Sequence, residues 1–292
     1  MRGDPQAHQL VAPGTLHGVL SLLAEEPGAW TPIAGGTELM VAYAAGRLNH
    51  RKLVSLWGIP DLRWIEVSTD SVVIAAGATF RDLRDHPAIA AEFPLLAKAA
   101  GWIGSIANQS RATLGGNLVN GSPAADSSPA LLVYDAEVEM ISACGRRRAP
   151  YREFHIGYKR NLLAPDELLY AVHVPRRNAG QRQYIRKVGT RRAMAISKTA
   201  LAGRVLLQNR VVQEIRLAAA SVAAFPARLY RAEDALLGKA ISPETMRATR
   251  AALLSEIVPI DDIRSTAEYR RVVTANLLQE FLSSFAPDGT IR

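Results

Sequence analysis

Residues 111–126 of the chain, RATLGGNLVNGSPAAD, place two adjacent glycines directly before a run of short hydrogen-bonding side chains. Glycine allows positive φ and lets another group approach the backbone closely. A loop of this kind offers N–H groups to an anion, as phosphate-binding nests do. Taken alone, however, such a cluster of Gly, Asn, Ser and Pro is the ordinary composition of a turn.

A second stretch, residues 33–39 with the sequence IAGGTEL, repeats the pattern of an apolar lead-in, a glycine pair, a hydroxyl and a carboxylate. We call residues 33–39 the first glycine segment and residues 113–117 the second glycine segment. Two such segments predict two backbone cradles that converge on one phosphorylated ligand. Neither matches GxGxxG or GxxxxGK[ST], so a Rossmann cofactor or a nucleoside triphosphate is not the natural inference.

The totals limit the class of protein. A length of 292 residues allows two or three modest domains, and 48% apolar residues is ordinary for a globular chain. The single cysteine, Cys144, excludes an internal disulfide and an iron–sulfur cluster held by this chain alone, and we expect it to be an inert strand residue. No signal peptide or apolar run of membrane-spanning length is present, so we expect a cytoplasmic protein without a membrane span.

The formal charge of +8 comes largely from arginine clusters at residues 146–148, 176–177 and 191–192. No helix-turn-helix, zinc-finger or aromatic RNA-binding pattern accompanies them, so we expect no nucleic-acid partner. A solvated face, or a surface for an acidic protein or an anionic cofactor, is the better interpretation.

Catalytic and metal-binding patterns are missing. The six histidines show no metal-ligand spacing, and no GxSxG motif is present. We therefore predict neither a metal site nor a catalytic residue in this chain. Glu38 and Asp126 lie beside the glycine segments, where a cofactor's ribose or ribityl hydroxyls can use them as hydrogen-bond acceptors. Any difficult chemistry then belongs to a cofactor.

Periodicity and turn residues divide the chain into three parts, residues 1–58, 59–178 and 179–292. The first is predicted as a small α/β unit that includes a helix over residues 15–26. The last begins with strands, including a hairpin over residues 200–219, and then becomes helical.

The last helix is predicted to begin with a capping box formed by Ser265 and Glu268. Its apolar side chains share one face, which we expect to be buried as core or interdomain packing. These side chains are Tyr269, Val272, Val273, Leu277 and Phe281.

The two glycine segments together resemble the paired FAD-binding motifs of the molybdenum hydroxylases. They are similar to the medium, flavin-carrying subunits of the xanthine dehydrogenase, carbon monoxide dehydrogenase and aldehyde oxidoreductase relatives. The likeness continues through YIRKVGTRRAMAISK at residues 184–198 and through residues 157–167, 235–239 and 268–270. Order and spacing hold over nearly the whole chain.

The resemblance implies an α+β protein with the vanillyl-alcohol-oxidase-like (PCMH-type) FAD-binding fold. Two α/β subdomains clasp FAD, and a C-terminal α+β domain with an antiparallel sheet and helices follows. The two glycine segments would wrap the FAD pyrophosphate, Asp126 would bind the flavin nucleotide and Lys187 would lie near the cofactor. Ile103 and Leu169 match apolar residues that flank the cofactor and are equally explained as core. The implied FAD-binding set is Ile33, Ala34, Gly35, Gly36, Thr37, Glu38, Leu39, Ile103, Thr113, Leu114, Gly115, Gly116, Asn117, Asp126, Leu169 and Lys187.

Members of this family work in a complex with a molybdopterin-binding large subunit and a small subunit that carries two [2Fe-2S] clusters. Electrons from substrate hydroxylation at molybdenum cross the clusters to FAD, which passes them to NAD⁺ or another acceptor. We expect a basic surface that includes Arg191 and Arg192 to dock the iron–sulfur subunit. One alternative is a stand-alone flavin oxidase of the same fold, although no acid–base pair is evident. The other is a flavin-free assembly protein, which the intact glycine pairs oppose, because we expect only the close approach of a ligand to require both pairs.

Two departures from the family pattern bear on the electron acceptor. Relatives often carry Gln-Ile-Arg-Asn before the second glycine segment, where this chain has ANQS at residues 107–110. Many have an acidic residue where Ala195 stands, in a loop near the acceptor side of the flavin. FAD binding is still expected, but the identity of the acceptor is left open.

Overall fold

The N-terminal part of the protein is a small parallel sheet with two helices. A computed structural model describes residues 3–177, 180–191 and 193–285. Strands in the order β1-β3-β2 form the sheet, with all pairs parallel. Helix α1 is capped by Thr15, whose hydroxyl accepts from the Gly18 N–H at 3.1 Å. The elements are β1 (Gln9–Val11), α1 (Leu16–Glu25), β2 (Trp30–Ile33), α2 (Leu39–Ala44) and β3 (Lys52–Ser55), with 3₁₀ turns at Pro5–Ala7 and Pro60–Leu62.

The middle part is organised around a five-stranded antiparallel sheet in the order β4-β5-β10-β6-β7. Its central strand β10 is buried along its length up to Pro175, and it pairs with β5 and β6. The elements are β4 (Ile65–Val67), β5 (Ser71–Ala75), α3 (Phe80–Asp85), α4 (Pro87–Glu92), α5 (Pro94–Ala100), α6 (Ile106–Gln109), α7 (Leu114–Val119), α8 (Ser128–Val133), β6 (Glu137–Ser142), β7 (Gly145–Pro150), α9 (Tyr151–Phe154), β8 (His155–Gly157), β9 (Arg160–Asn161) and β10 (Leu168–Pro175).

The C-terminal part is an antiparallel sheet, in the order β11-β12-β13-β14, followed by helices. Its strands alternate between two cores, because successive side chains of a strand point to opposite faces. Leu201 packs in the core with the C-terminal helices, and the next residue, Ala202, packs in the core of the middle part. The elements are β11 (Arg182–Val188), β12 (Thr199–Gln208), β13 (Val211–Ala220), β14 (Ala227–Arg228), α10 (Tyr230–Leu236), α11 (Pro243–Glu256) and α12 (Ala267–Ser283).

This architecture confirms the predicted α+β fold with a C-terminal antiparallel sheet and helices. The division at residues 58 and 178 stays a prediction, and residue 178 lies outside the described part of the chain. No helix in the described residues is long and apolar enough to cross a membrane.

The predicted cap of the last helix is wrong by one residue. Thr266 is the N-cap of α12, and its hydroxyl accepts from the Tyr269 N–H at 3.2 Å. Ser265 cannot serve, because its backbone is bound in a turn with Asp262. The Ser265 N–H donates to the Asp262 carbonyl, and the Asp262 N–H donates to the Ser265 carbonyl at 3.0 Å.

The predicted apolar face of α12 is wrong in part. Tyr269 and Val272 are 40% and 46% exposed, whereas the neighbouring Arg270 is 3% exposed. The helix turns a different face toward the core than the one predicted, because polar side chains on that face form hydrogen bonds in the interior. Arg270 donates to the Asp262 carboxylate at 2.6 Å, and the hydroxyls of Thr274 and Thr199 lie 2.7 Å apart. A hydropathy pattern does not detect a polar buried face of this kind.

Two further sequence expectations change. Cys144 lies exposed in the turn between β6 and β7 rather than within a strand. The arginines of residues 146–148 are not an unpaired basic face, since Arg147 binds Glu167 with two contacts of 2.6 Å. Arg146 and Arg148 both contact Glu139, at 3.3 and 3.2 Å.

His155 lies at the junction between the middle and C-terminal parts. It is 6% exposed, its ring stacks on Phe225 with centroids 6.3 Å apart, and its Nε2 lies 3.2 Å from the Tyr151 hydroxyl. Its Nδ1 is buried without a hydrogen-bond partner. Burial lowers the pKa of His155 to about 4, because a charged imidazolium is poorly solvated there.

We therefore expect the protein to lose stability as the pH falls from 6.5 to 4. In this window the unfolded chain binds a proton at His155 that the folded chain does not, and this costs about 2–3 kcal/mol of unfolding free energy. Urea unfolding of the protein and of a His155→Phe variant measures the effect. The variant should lose less stability over this range, and equal losses in the two proteins would contradict the assignment.

Candidate cofactor-binding site

The first glycine segment presents a run of free backbone donors. It leaves β2 at Ile33 and enters α2 at Leu39. Within the described part of the chain, none of the N–H groups of residues 34–39 donates a hydrogen bond. Gly36 has φ of 75°, which favours glycine. Consecutive free N–H groups form an anion-binding concavity, so this segment fits a phosphate.

The second glycine segment is different, because most of its N–H groups already donate within the protein, and its predicted role at the pyrophosphate stays a prediction. It forms the first turn of helix α7, capped by the Thr113 hydroxyl, which accepts from the Gly116 N–H at 3.1 Å. The N–H of Leu114 donates to the Ala78 carbonyl at 2.9 Å, and that of Gly115 donates to the Ala76 carbonyl at 2.8 Å. This segment therefore anchors α7 to the end of β5 and has few donors left for a ligand.

The glycines of both segments are required by packing of the protein on itself. A Cβ on Gly35 would lie 1.8 Å from the carbonyl oxygen of Arg111, and one on Gly115 would lie 2.5 Å from the Cβ of Ala76. Intact glycine pairs are thus no proof of a ligand, contrary to the expectation from sequence. Gly35 brings the first segment into direct backbone contact with Arg111 and Ala112, the residues that lead into the second segment.

A cleft of about 730 Å³ opens beside these segments, between the middle and C-terminal parts. Four of the sequence-predicted residues line it, namely Glu38, Ile103, Asn117 and Asp126. The C-terminal part supplies the opposite wall through residues in the loop before β12, the turn after β13, the loop before α12 and α12 itself. These residues are Met194, Ala195, Ile196, Ser221, Ala223, Ile260, Asp262, Ile263, Arg264 and Arg270.

Asp126 and Lys187 form a buried ion pair at the edge of the cleft. Lys187 Nζ lies 2.5 Å from one carboxylate oxygen of Asp126, and the Ser197 hydroxyl donates to the other at 2.5 Å. The two charged side chains are only 9% and 11% exposed. Burial raises the pKa of the Asp126 carboxyl, while Lys187 and Ser197 favour its charged form. The pair connects the segment before α8 to strand β11.

The other predicted site residues lie farther from the cleft surface. Leu169 is 4% exposed within the core of the middle part, and Leu114 is completely buried. Ile33, Ala34, Gly35, Gly36, Thr37 and Leu39 are half-buried along the first glycine segment. The structure therefore brings the first segment, Asn117, Asp126 and Lys187 together, and it places Leu169 among core residues.

Sequence reasoning missed the contribution of the C-terminal part. Ser221 has φ of 62°, uncommon for a residue other than glycine, and its N–H donates to the Pro123 carbonyl at 2.7 Å. Arg270 donates to the Ser221 carbonyl at 3.1 Å. These contacts join residues more than forty positions apart, so no local pattern indicates them.

The loop expected to dock a partner is held by Arg191. Its guanidinium donates to the carbonyls of Ala193 and Met194, at 3.1 and 2.8 Å. The neighbouring Arg192 lies outside the described residues. The expected docking role of these two arginines stays a prediction.

The residues present fit a dinucleotide with a diphosphate. The first glycine segment offers free N–H donors, and Asp126 and Asn117 place polar side chains along the cleft. Its volume lies in the range of small-molecule sites. The fold and the cleft thus define a dinucleotide-binding protein of the α+β type, with a separate C-terminal domain as one wall of the site.

Comparison with known proteins identifies the class more closely. Residues 6–177 match the family described as the FAD binding domain in molybdopterin dehydrogenase. Residues 184–285 match the CO dehydrogenase flavoprotein C-terminal domain. The putative xanthine dehydrogenase FAD-binding subunit of Escherichia coli K12 is 31% identical over 273 residues, 92% of each chain.

The carbon monoxide dehydrogenase medium chain of Hydrogenophaga pseudoflava is 27% identical over 283 residues, 96% of this chain and 97% of that one. A solved structure of carbon monoxide dehydrogenase from the same organism superposes with a TM-score of 0.90 at 28% identity, covering 95% of this chain and 96% of that chain. The chain belongs to the family of FAD-binding medium subunits of the molybdenum hydroxylases, the xanthine dehydrogenase and carbon monoxide dehydrogenase type. It is an FAD-dependent oxidoreductase subunit.

Removing only the cation of the buried pair should lower the free energy of unfolding more than removing both charges. Lys187→Met leaves the buried Asp126 uncompensated and is expected to cost about 3–5 kcal/mol of unfolding free energy. The double variant Asp126→Asn with Lys187→Met should recover part of that loss, since no charge is left buried. Urea unfolding measures the stability of both variants. A double variant that is less stable than the single variant would contradict a charge-based role.

An added methyl group on Gly35 should push the first glycine segment away from residues 111–112, which lead into the second segment. Gly35→Ala places a Cβ 1.8 Å from the Arg111 carbonyl oxygen, so one segment must move. We expect the variant to retain much less FAD, measured as flavin absorbance relative to protein absorbance after gel filtration. The matched control is Gly101→Ala, where the nearest atom to a new Cβ is 3.4 Å away. Equal FAD content in the two variants would show that segment contact is not needed.

Proposed function

We propose that this protein is the electron-transfer subunit of a molybdopterin-dependent hydroxylase complex. In this proposal its FAD receives electrons from the [2Fe-2S] clusters of a small partner subunit and passes them to NAD⁺ or another acceptor. A large partner subunit binds the molybdopterin and hydroxylates the substrate. The observation that supports it most directly is the cleft with the free donors of residues 34–39, in a chain of this family.

The bound FAD supplies two-electron redox chemistry, and the protein positions it. The N–H groups of residues 34–39 would hold the diphosphate, and Asp126, fixed by Lys187 and Ser197, would bind the nucleotide hydroxyls. The remaining residues of the implied FAD-binding set are proposed to hold these binding groups in position, and Leu169 would do so from within the core. A cytoplasmic location is part of the same proposal.

Two of the carboxylates that line the cleft, Asp126 and Asp262, argue against a stand-alone flavin oxidase that uses either of them as its acid–base residue. Both oxygens of Asp126 are occupied, by Lys187 and Ser197. Asp262 accepts from Arg270 and Arg264. Carboxylates held in this way serve as structural anchors, because their cationic partners fix them in position away from a role as general base. The remaining lone pairs of Asp126 can still accept from a hydroxyl group.

The rim of the cleft supports a protein partner. Four apolar side chains, Met194, Ile196, Ile260 and Ile263, are between 55% and 103% exposed. Large apolar groups at the entrance of a site are costly in water and are typical of interaction surfaces. In the proposed complex a partner subunit covers this rim and shields the cofactor from solvent.

The first test is the visible spectrum of the purified protein, followed by acid release of any chromophore. We expect a flavin spectrum and released FAD. Anaerobic addition of NADH should bleach the flavin if NAD⁺ is the acceptor, since electron transfer between the two is reversible. A colourless protein that also fails to take up added FAD would overturn the proposal.

A second arm of the same test concerns the complex. Affinity purification of the chain from its native cells should bring down two further chains with bound iron and molybdenum, measured by metal analysis. A purified protein that carries FAD but never associates with iron or molybdenum would favour the stand-alone oxidase.

A further inference from the structure

We propose that Lys159 is the side chain that binds the negative charge of the FAD diphosphate, and that it leaves Glu38 to do so. The proposal rests on the proposed function, in which FAD occupies the cleft. It adds a residue that the two glycine segments do not contain and that lies on the β8–β9 turn.

The distribution of charge in the cleft singles out Lys159. Among the described residues that line the cleft, the cationic ones are Lys159, Arg264 and Arg270. Arg264 and Arg270 both bind Asp262, at 3.2 and 2.6 Å. They share this one carboxylate and lie on the C-terminal wall, on the opposite side of the cleft from the free donors. A diphosphate diester is doubly anionic, and backbone N–H groups alone do not supply it with a full positive charge.

Lys159 lies next to the free donors and is held there by a weak contact. Its Nζ is 3.7 Å from Glu38 Oε1, and the two side chains are 46% and 62% exposed. Exposed pairs of this kind contribute little to stability. The N–H of Glu38 belongs to the run of free donors in residues 34–39. A diphosphate bound to that run would thus lie within reach of the ammonium and would compete with Glu38 for it.

The backbone around Lys159 is fixed. Lys159 has φ of 52°, a left-handed conformation that is uncommon for residues other than glycine. A Cβ on Gly121 would lie 3.0 Å from the Lys159 Cα, so the turn rests on the end of α7. Asn161 ties the hairpin down by donating to the Val119 carbonyl at 3.2 Å. Unusual backbone conformations kept at a cleft often mark residues with a function.

The contact between Lys159 and Glu38 also connects two parts of the chain across the entrance of the cleft. Glu38 stands at the start of α2 in the N-terminal part, and Lys159 belongs to the middle part. Without a ligand the pair compensates both charges. With a diphosphate in place the ammonium has a stronger partner, and Glu38 returns to water. Glu38 therefore compensates the charge of Lys159 until the cofactor binds.

The test compares FAD with riboflavin, which lacks phosphate. FAD-depleted full-length protein is titrated with each ligand, and quenching of flavin fluorescence gives the dissociation constants. Lys159→Gln should weaken FAD binding about 10-fold, the size of one charge-assisted hydrogen bond, and leave riboflavin binding unchanged. Lys159→Arg should retain most of the affinity for FAD.

The matched control is Arg160→Gln, which removes a charge from the same hairpin at a residue that does not line the cleft. We expect it to bind FAD like the wild-type protein. The dependence of FAD affinity on salt should be shallower in Lys159→Gln than in Arg160→Gln, because a direct phosphate contact is screened by ions.

The outcomes separate this inference from the proposed function. Wild-type protein that binds no FAD would overturn the proposed function itself. Wild-type protein that binds FAD, with Lys159→Gln of equal affinity and salt dependence, would overturn only the role of Lys159. Equal weakening of FAD and riboflavin would also overturn it, since a merely structural role does not distinguish ligands by their phosphates.

Discussion

The buried contact between Asp126 and Lys187 is the interaction on which the site depends. Asp126 also accepts from Ser197, the Ser197 carbonyl accepts from the Ser221 hydroxyl at 3.1 Å, and the Ser221 carbonyl accepts from Arg270. Arg270 also donates to the Asp262 carboxylate. A single connected network therefore runs from the middle part of the chain to the last helix. Buried networks of this kind specify one arrangement, because each unsatisfied member would be costly.

The two glycine segments look alike in sequence and have different physical roles. The first keeps its donors free for a ligand, and the second uses its donors to bind Ala76 and Ala78. Gly35 packs against the Arg111 carbonyl, just before the second segment, and this contact places the free donors near the helix that the second segment begins. Because the second segment is rigid, the position of the first is defined before any cofactor arrives.

Local signals in the sequence were sufficient for much of the fold. The helix predicted over residues 15–26 is present as α1 (Leu16–Glu25), with the Thr15 hydroxyl accepting from the Gly18 N–H at 3.1 Å. The family resemblance supplied Asp126 and Lys187. The start of α12 was missed because Ser265 and Thr266 are both good caps, and only the turn with Asp262 decides between them. The C-terminal wall depends on contacts between distant residues, which no local spacing encodes.

Strand β7 forms an edge of the five-stranded sheet, and its sequence protects that edge. An exposed edge strand presents unpaired backbone groups to which a strand from another molecule can add. The three arginines of residues 146–148 are held on either face of β7 by Glu139 and Glu167. Their bulk and charge oppose the approach of a second copy. The free chain would then resist edge-to-edge aggregation with its own copies at high concentration.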